Sequence, residues 1–118
     1  HDVIISAPDT RGVITFGNDT FYKFAEYESG ELMGKPHNII RHPDMPKAGF
    51  GHLWQVIQSG NIWQGYVINR SKKGKDYWVK ATVFPQFSGG SIVGYLSVRT
   101  MPEPERIADA IEIYRRLP

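Results

Sequence analysis

Arg41, His42 and Asp44 place three ionisable side chains within four residues, inside the stretch HNIIRHPDMPKAGFGHLW that runs from His37 to Trp54. A guanidinium pairs readily with carboxylate or phosphate oxygens. An imidazole can bond, titrate or ligate a metal. His37 and His52 flank the group, so zinc or iron ligation is the first chemistry to weigh. The spacings match no compact ligand motif, and Pro43 stands between two of the candidates. Histidines bonded to their own loop account for the pattern more simply, and no metal is expected. A haem held by His52 is weighed on the same terms.

Catalysis has no positive support in the residues. There is no Gly-x-Ser-x-Gly elbow, no phosphate loop of the Walker type and no Gly-x-Gly-x-x-Gly fingerprint. Cysteine is absent, which removes thiolate nucleophiles, thiolate metal sites and disulfides. The expectation is a protein that is not an enzyme. Binding is better supported. Trp54, Trp63, Tyr66, Tyr77, Trp78, Phe84 and Phe87 crowd the second half of the chain, and for Trp54 and Phe84 the simplest reading is a place in the core. Asn69 is different. In the alternating run Trp63–Ser71 it shares a side with Trp63, Gly65 and Val67. A buried amide left unpaired costs roughly 1–3 kcal/mol, so it needs a partner. A planar heterocycle with donors and acceptors along one edge would supply one, between flat aromatic walls.

The surrounding elements must hold these residues in place. The 118 residues are 41% hydrophobic and 22% charged, with a net charge of +2. That describes one globular domain able to bury about two-thirds of its unfolded surface. The charge is too mild and too scattered for a nucleic-acid partner. No apolar run approaches the ~20 residues of a membrane span, so direct membrane insertion is not expected. Val3–Ala7 and Val13–Gly17 read as a hairpin. Asn18 caps a helix carrying Phe21, Phe24 and Ala25 on one side. A second short helix starts at Ser29, with Leu32 and Met33 inward, and stops at Gly34 and Pro36. Pro43 and Pro46 forbid a helix through the ionisable group, while Phe50, Leu53, Trp54 and Ile57 give one apolar face to a helix over 46–59. Three strands follow, at Trp63–Ser71, Asp76–Pro85 and Ile92–Thr100, joined by polar turns. Last comes a helix over Glu105–Leu117 with Ile107, Ala110, Ile111, Tyr114 and Leu117 on one stripe. Hairpin-linked strands favour an α+β fold, an antiparallel sheet with the helices gathered on one face.

The same residues resemble a known family. The segments NDTF at 18–21, GKPHNIIRHPDMPKAGF at 34–50, Trp63, Asn69–Arg70, DYWVKA at 76–81 and GYLSVRT at 94–100 are similar to the flavin-binding PAS domain of bacterial aerotaxis receptors. The likeness runs from Val3 to Thr100. It implies a PAS fold with a five-stranded antiparallel sheet, a sensor domain over 1–104, and a helix over 105–118 that leads to a downstream signalling region.

The resemblance further implies FAD, bound non-covalently, as a redox or oxygen sensor in a chemotaxis receptor or another signalling protein. The implied cofactor-binding positions are Asn18, Arg41, His42, Asp44, Phe50, Trp54, Trp63, Asn69 and Tyr77. Asn69 would bond the ring edge, Trp63 and Phe50 would wall the ring, and Tyr77 would contribute from the next strand. Arg41 and His42 would face the pyrophosphate or adenine end, with Asp44 orienting them. Asn18 has an equal claim as a plain helix cap. The implied partners are the flavin, the downstream domain of the same chain and a second copy in a homodimer. The implied place is the cytoplasm, with the parent protein anchored to the inner membrane. The alternatives are a PAS module holding haem or a metabolite, and a ligand-free interaction domain in which Trp63 and Asn69 only pack. With no cysteine, a light-driven cysteinyl–flavin adduct cannot form, so redox is the expected input.

Overall fold

The computed structural model describes residues 3–42 and 47–116. Five strands form one antiparallel sheet: β1 (Val3–Pro8), β2 (Ile14–Gly17), β3 (Trp63–Arg70), β4 (Asp76–Ser88) and β5 (Ser91–Thr100), in the order β2-β1-β5-β4-β3. Between β2 and β3 lie α1 (Asp19–Ala25), α2 (Ser29–Leu32), a 3₁₀ turn at His37–Ile40 and α3 (Lys47–Gln58), and α4 (Pro104–Arg115) follows the sheet. The five-stranded antiparallel sheet expected from the sequence is therefore present. β4 runs three residues past the expected Pro85 and ends at Ser88.

The inner face of the sheet carries the core. Ile4 of β1, Ile14 of β2, Val67 of β3, Val79, Ala81 and Val83 of β4 and Tyr95 of β5 are buried with Phe21, Leu32, Ile40 and Ile57 from the elements packed over them. Local chemistry sets the covering layer. Asn18 Oδ1 accepts from the Phe21 amide at 2.9 Å and starts α1. A capping box between Glu28 and Glu31 starts α2.

Three expectations need correction. Met33 is exposed, because α2 stops at Leu32 and extended backbone at Met33 turns its side chain off the helix face. Phe84 falls on the outer face of β4 with Trp78, opposite the buried Tyr77, Val79, Ala81 and Val83, so it is not a core aromatic. The short helices between β2 and β3 lie over one face, as expected, and the terminal helix lies on the other. α4 folds back onto the outer face, where Tyr114 stacks on Trp78 with ring centroids 5.9 Å apart and its hydroxyl donates to the Tyr66 carbonyl. Its contact stripe is Ile107, Ala110 and Tyr114, while Ile111 is exposed. Leu117 lies outside the described residues.

Candidate functional site

Between the inner face of the sheet and the layer of the 3₁₀ turn and α3 lies a cleft of about 360 Å³, a volume typical of small-molecule sites. Its walls are apolar: Leu53, Trp54 and Ile57 of α3, Ile40 of the 3₁₀ turn, and Val67, Ala81 and Val83 of the sheet. Trp54 is fixed edge-on against Tyr95, with ring centroids 5.7 Å apart and planes at 86°. Polar groups enter from two sides. Asn69, Ser97 and Arg99 rise from β3 and β5, and His37, Asn38 and Arg41 face them from the covering loop. The turn between β1 and β2 closes the outline with Pro8, Arg11 and Gly12.

Arg99 is the most unusual of these residues. It is 2% exposed, its guanidinium lies 5.1 Å from the centre of the Phe21 ring, and Nη2 donates to Ser6 Oγ. Its Nε is buried with no hydrogen-bond partner among the described residues. Burial pulls its pKa down to about 10. Ser6 Oγ lies 2.7 Å from His37 Nε2. Ser6 Oγ thus bonds both the Arg99 guanidinium, from which it accepts, and the His37 imidazole. Burial first, and the Arg99 charge second, hold the His37 pKa down at about 3. A buried cation, a neutral imidazole and a serine thus form one network at the polar end of the cleft.

Asn69 meets its expectation of an inward, buried amide. It is 5% exposed, and its Oδ1 has no hydrogen-bond partner among the described residues. The loop after the 3₁₀ turn pairs with the outer edge of β3: Arg41 bridges to Asn69, and the His42 amide donates to the Ile68 carbonyl at 3.4 Å. Arg41 therefore lines the cleft beside Asn69. Tyr77 stands directly opposite Asn69 on β4 and packs on Phe24 at 5.9 Å. Its buried hydroxyl also has no partner among the described residues, and burial pushes its pKa up to about 12. It adjoins the polar end without being a lining residue.

The remaining candidates are dispersed. His42 is 4% exposed and sits outside the lining; its Nε2 is 3.0 Å from Asp76 Oδ2 and 2.8 Å from Arg70 Nη2, so it anchors the loop to the β3–β4 hairpin. Asn18 is used up by structure. Its Oδ1 accepts from Ile5 and Phe21, and its Nδ2 donates to the Val3 carbonyl, which fastens α1 to β1. Trp63 is buried beside the cleft rather than on its wall. Its indole donates to His52 Nδ1 at 3.3 Å, and its ring lies so close to Gly65 that a Cβ there would come within 2.5 Å. Glycine is required at that position by the tryptophan. Asp44 and the Phe50 side chain lie outside the described residues. His37, His42 and His52 occupy three separate settings, bonded to Ser6, Asp76 and Trp63 in turn.

Sequence reasoning missed Arg99, Ser97 and Ser6, and it saw His37 only as a member of a histidine group. A signal was available for Arg99. β5 alternates Tyr95, Ser97 and Arg99 with Leu96 and Val98, and it is the more polar set that faces inward.

Comparison with known proteins agrees with this fold. The family model described as PAS fold matches residues 14–99. The chain is 44% identical over 114 residues to the aerotaxis receptor of Escherichia coli K12, covering 97% of this chain and 22% of that protein. It is 26% identical over 98 residues to the nitrogen fixation regulatory protein of Klebsiella pneumoniae, covering 82% of this chain and 20% of that protein. The chain thus spans about a fifth of the length of these relatives. Among solved structures, the light state of the blue-light photoreceptor Aureochrome1 LOV aligns with a TM-score of 0.83 at 15% identity, over 95% of this chain and 91% of that one. A PAS domain from Colwellia psychrerythraea aligns at 0.78 with 19% identity, over 85% and 86%.

Proposed function

The chain belongs to the PAS family, and we propose that it is a sensor module, not an enzyme, which binds FAD non-covalently and reports redox state to a downstream domain of the same protein. One observation carries this reading: two residues that line the apolar cleft each hold a buried polar atom, the acceptor Asn69 Oδ1 and the donor Arg99 Nε, with no partner among the described residues. Leaving such atoms unpaired costs roughly 1–3 kcal/mol each. A ligand ring whose edge carries both an N–H and a carbonyl would satisfy both. The isoalloxazine edge has that pattern, and Trp54 offers a flat wall for the ring.

When bound, a flavin supplies reversible electron transfer. The residues of this chain supply orientation and response. Asn69 can present either end of its amide, so a ring edge that changes from acceptor to donor can be followed by a flip. Arg99 provides a buried positive charge, with His37 neutral beside it. β3 then connects site to surface, because it carries Asn69 inward and gives its Tyr66 carbonyl to Tyr114 of α4 outward. The similarity to an aerotaxis receptor and to a nitrogen fixation regulator supports a sensory role. The corresponding setting is the cytoplasmic part of a larger signalling protein, anchored at the inner membrane in the aerotaxis case.

The test is an absorbance spectrum of the purified chain, followed by release of the ligand and its identification by chromatography. Twin oxidised-flavin bands that yield FAD support the proposal. A Soret band would replace flavin by haem, and a protein that stays colourless after addition of FAD would leave a module for a colourless metabolite or for protein contacts alone.

A further inference from the structure

The cleft meets solvent beside a second cation that neither the sequence reading nor the ring contacts above use. Arg11 lines the cleft from the β1–β2 turn, yet its side chain is 82% exposed, which puts it at the mouth. The turn that carries it is well fixed. Asp9 Oδ1 accepts from the Arg11 amide at 2.8 Å and from the Val13 amide at 2.9 Å, and Gly12, with φ of +83°, sits against the Trp54 ring. The Val13 amide, more than the Arg11 charge, holds the Asp9 carboxyl below its ordinary pKa. The Asp9 charge is therefore directed into its own turn. It reaches the Arg11 guanidinium only at 3.6 Å, a loose pair in water.

We propose that Arg11 is a specificity-determining residue of the cleft, taking the phosphates of a dinucleotide tail at the mouth while the ring occupies the interior. This rests on the flavin reading above and deepens it, since it says why the ligand would be FAD rather than a flavin without phosphate. A ring held by the buried Asn69 and Arg99 would send its tail out toward solvent, where the exposed Arg11 lines the cleft. The guanidinium there can make paired hydrogen bonds to phosphate oxygens.

The experiment compares FAD and riboflavin added to the ligand-stripped 118-residue chain, as the native sequence and as Arg11→Gln and Arg11→Lys. Arg11 is exposed, so these variants should keep the native melting temperature. The expected result is a loss of about three- to tenfold in FAD affinity for Arg11→Gln, as befits a charge-assisted contact at a wet site. Riboflavin affinity stays unchanged, and Arg11→Lys recovers part of the loss. Raising the salt concentration should weaken FAD binding in the native chain more than in Arg11→Gln. Equal loss of both ligands would make Arg11 a support of the turn, and no loss of either would leave it a solvated side chain; both overturn the inference. A native chain that binds neither flavin would remove the cofactor reading itself, and this inference with it.

Discussion

Asn69 is where the cost of the site is most visible. An orphaned buried acceptor lowers the stability of the empty protein and improves its complement to a ligand. Asn69→Ala separates the two effects. The empty protein should melt at the same temperature or slightly higher, because an unsatisfied group has been removed. Flavin affinity should fall by tenfold or more, following the loss of about 1.4 kcal/mol or more of contact energy. Titration of the stripped variant, beside its melting curve, checks both halves. A variant that is markedly less stable and binds normally would give Asn69 a purely structural role. Arg99 does not offer so clean a test, since it also holds Ser6 and covers Phe21.

Among the elements, β3 and α4 form the route from cleft to surface. α4 rests on a short contact stripe, a ring stack on Trp78 and a single hydroxyl bond to the Tyr66 carbonyl. Such an attachment opens more easily than the sheet beneath it. Tyr114→Ala should abolish hydrogen-exchange protection along α4 while β4 and β5 amides keep theirs. Tyr114→Phe should cost about 0.5–1.5 kcal/mol of local stability, the usual net contribution of one neutral hydrogen bond. Uniform loss of protection across the sheet would mean that α4 is part of the cooperative core. The loop at Arg41 and His42 has the complementary role on the inner side. It covers the free edge of β3, an edge that natural sheets seldom leave bare.

For the molecule as a whole, pH reads the buried network. His37 is held near a pKa of about 3 in the folded state, against ~6.5 for an exposed histidine. Between those values the unfolded chain binds the extra proton, so stability rises with pH across this window and falls as the pH drops from ~6.5 toward about 3. Carboxyls held low act in the same direction further down, as at Asp76, where the Arg70 hydrogen bond is the main cause. Melting temperatures of the native chain should therefore decline from pH 7 to pH 4. The decline should be shallower in His37→Gln, whose amide can still bond Ser6 but has no proton to take up. Parallel curves for the two proteins would place the titration elsewhere.

The sequence by itself determined the strands, the caps and the sidedness of β3. Those depend on neighbours a few residues apart: Asn18 caps through Phe21, and alternation alone puts Asn69 with Trp63 and Val67. The missing cysteines were equally plain. Tertiary structure decided which face of each strand was the inside. On β5 the rule of apolar residues inward fails, because the cleft takes Ser97 and Arg99 while Leu96 and Val98 turn outward. Phe84 was misread for the same reason, since period two says which residues share a side and not which side is buried. Arg99, Ser6 and His37 come together across separations of 93 and 31 residues, and no local pattern encodes such a meeting. Ser6 Oγ is buried with both of those bonds made, a condition that only the assembled fold can satisfy.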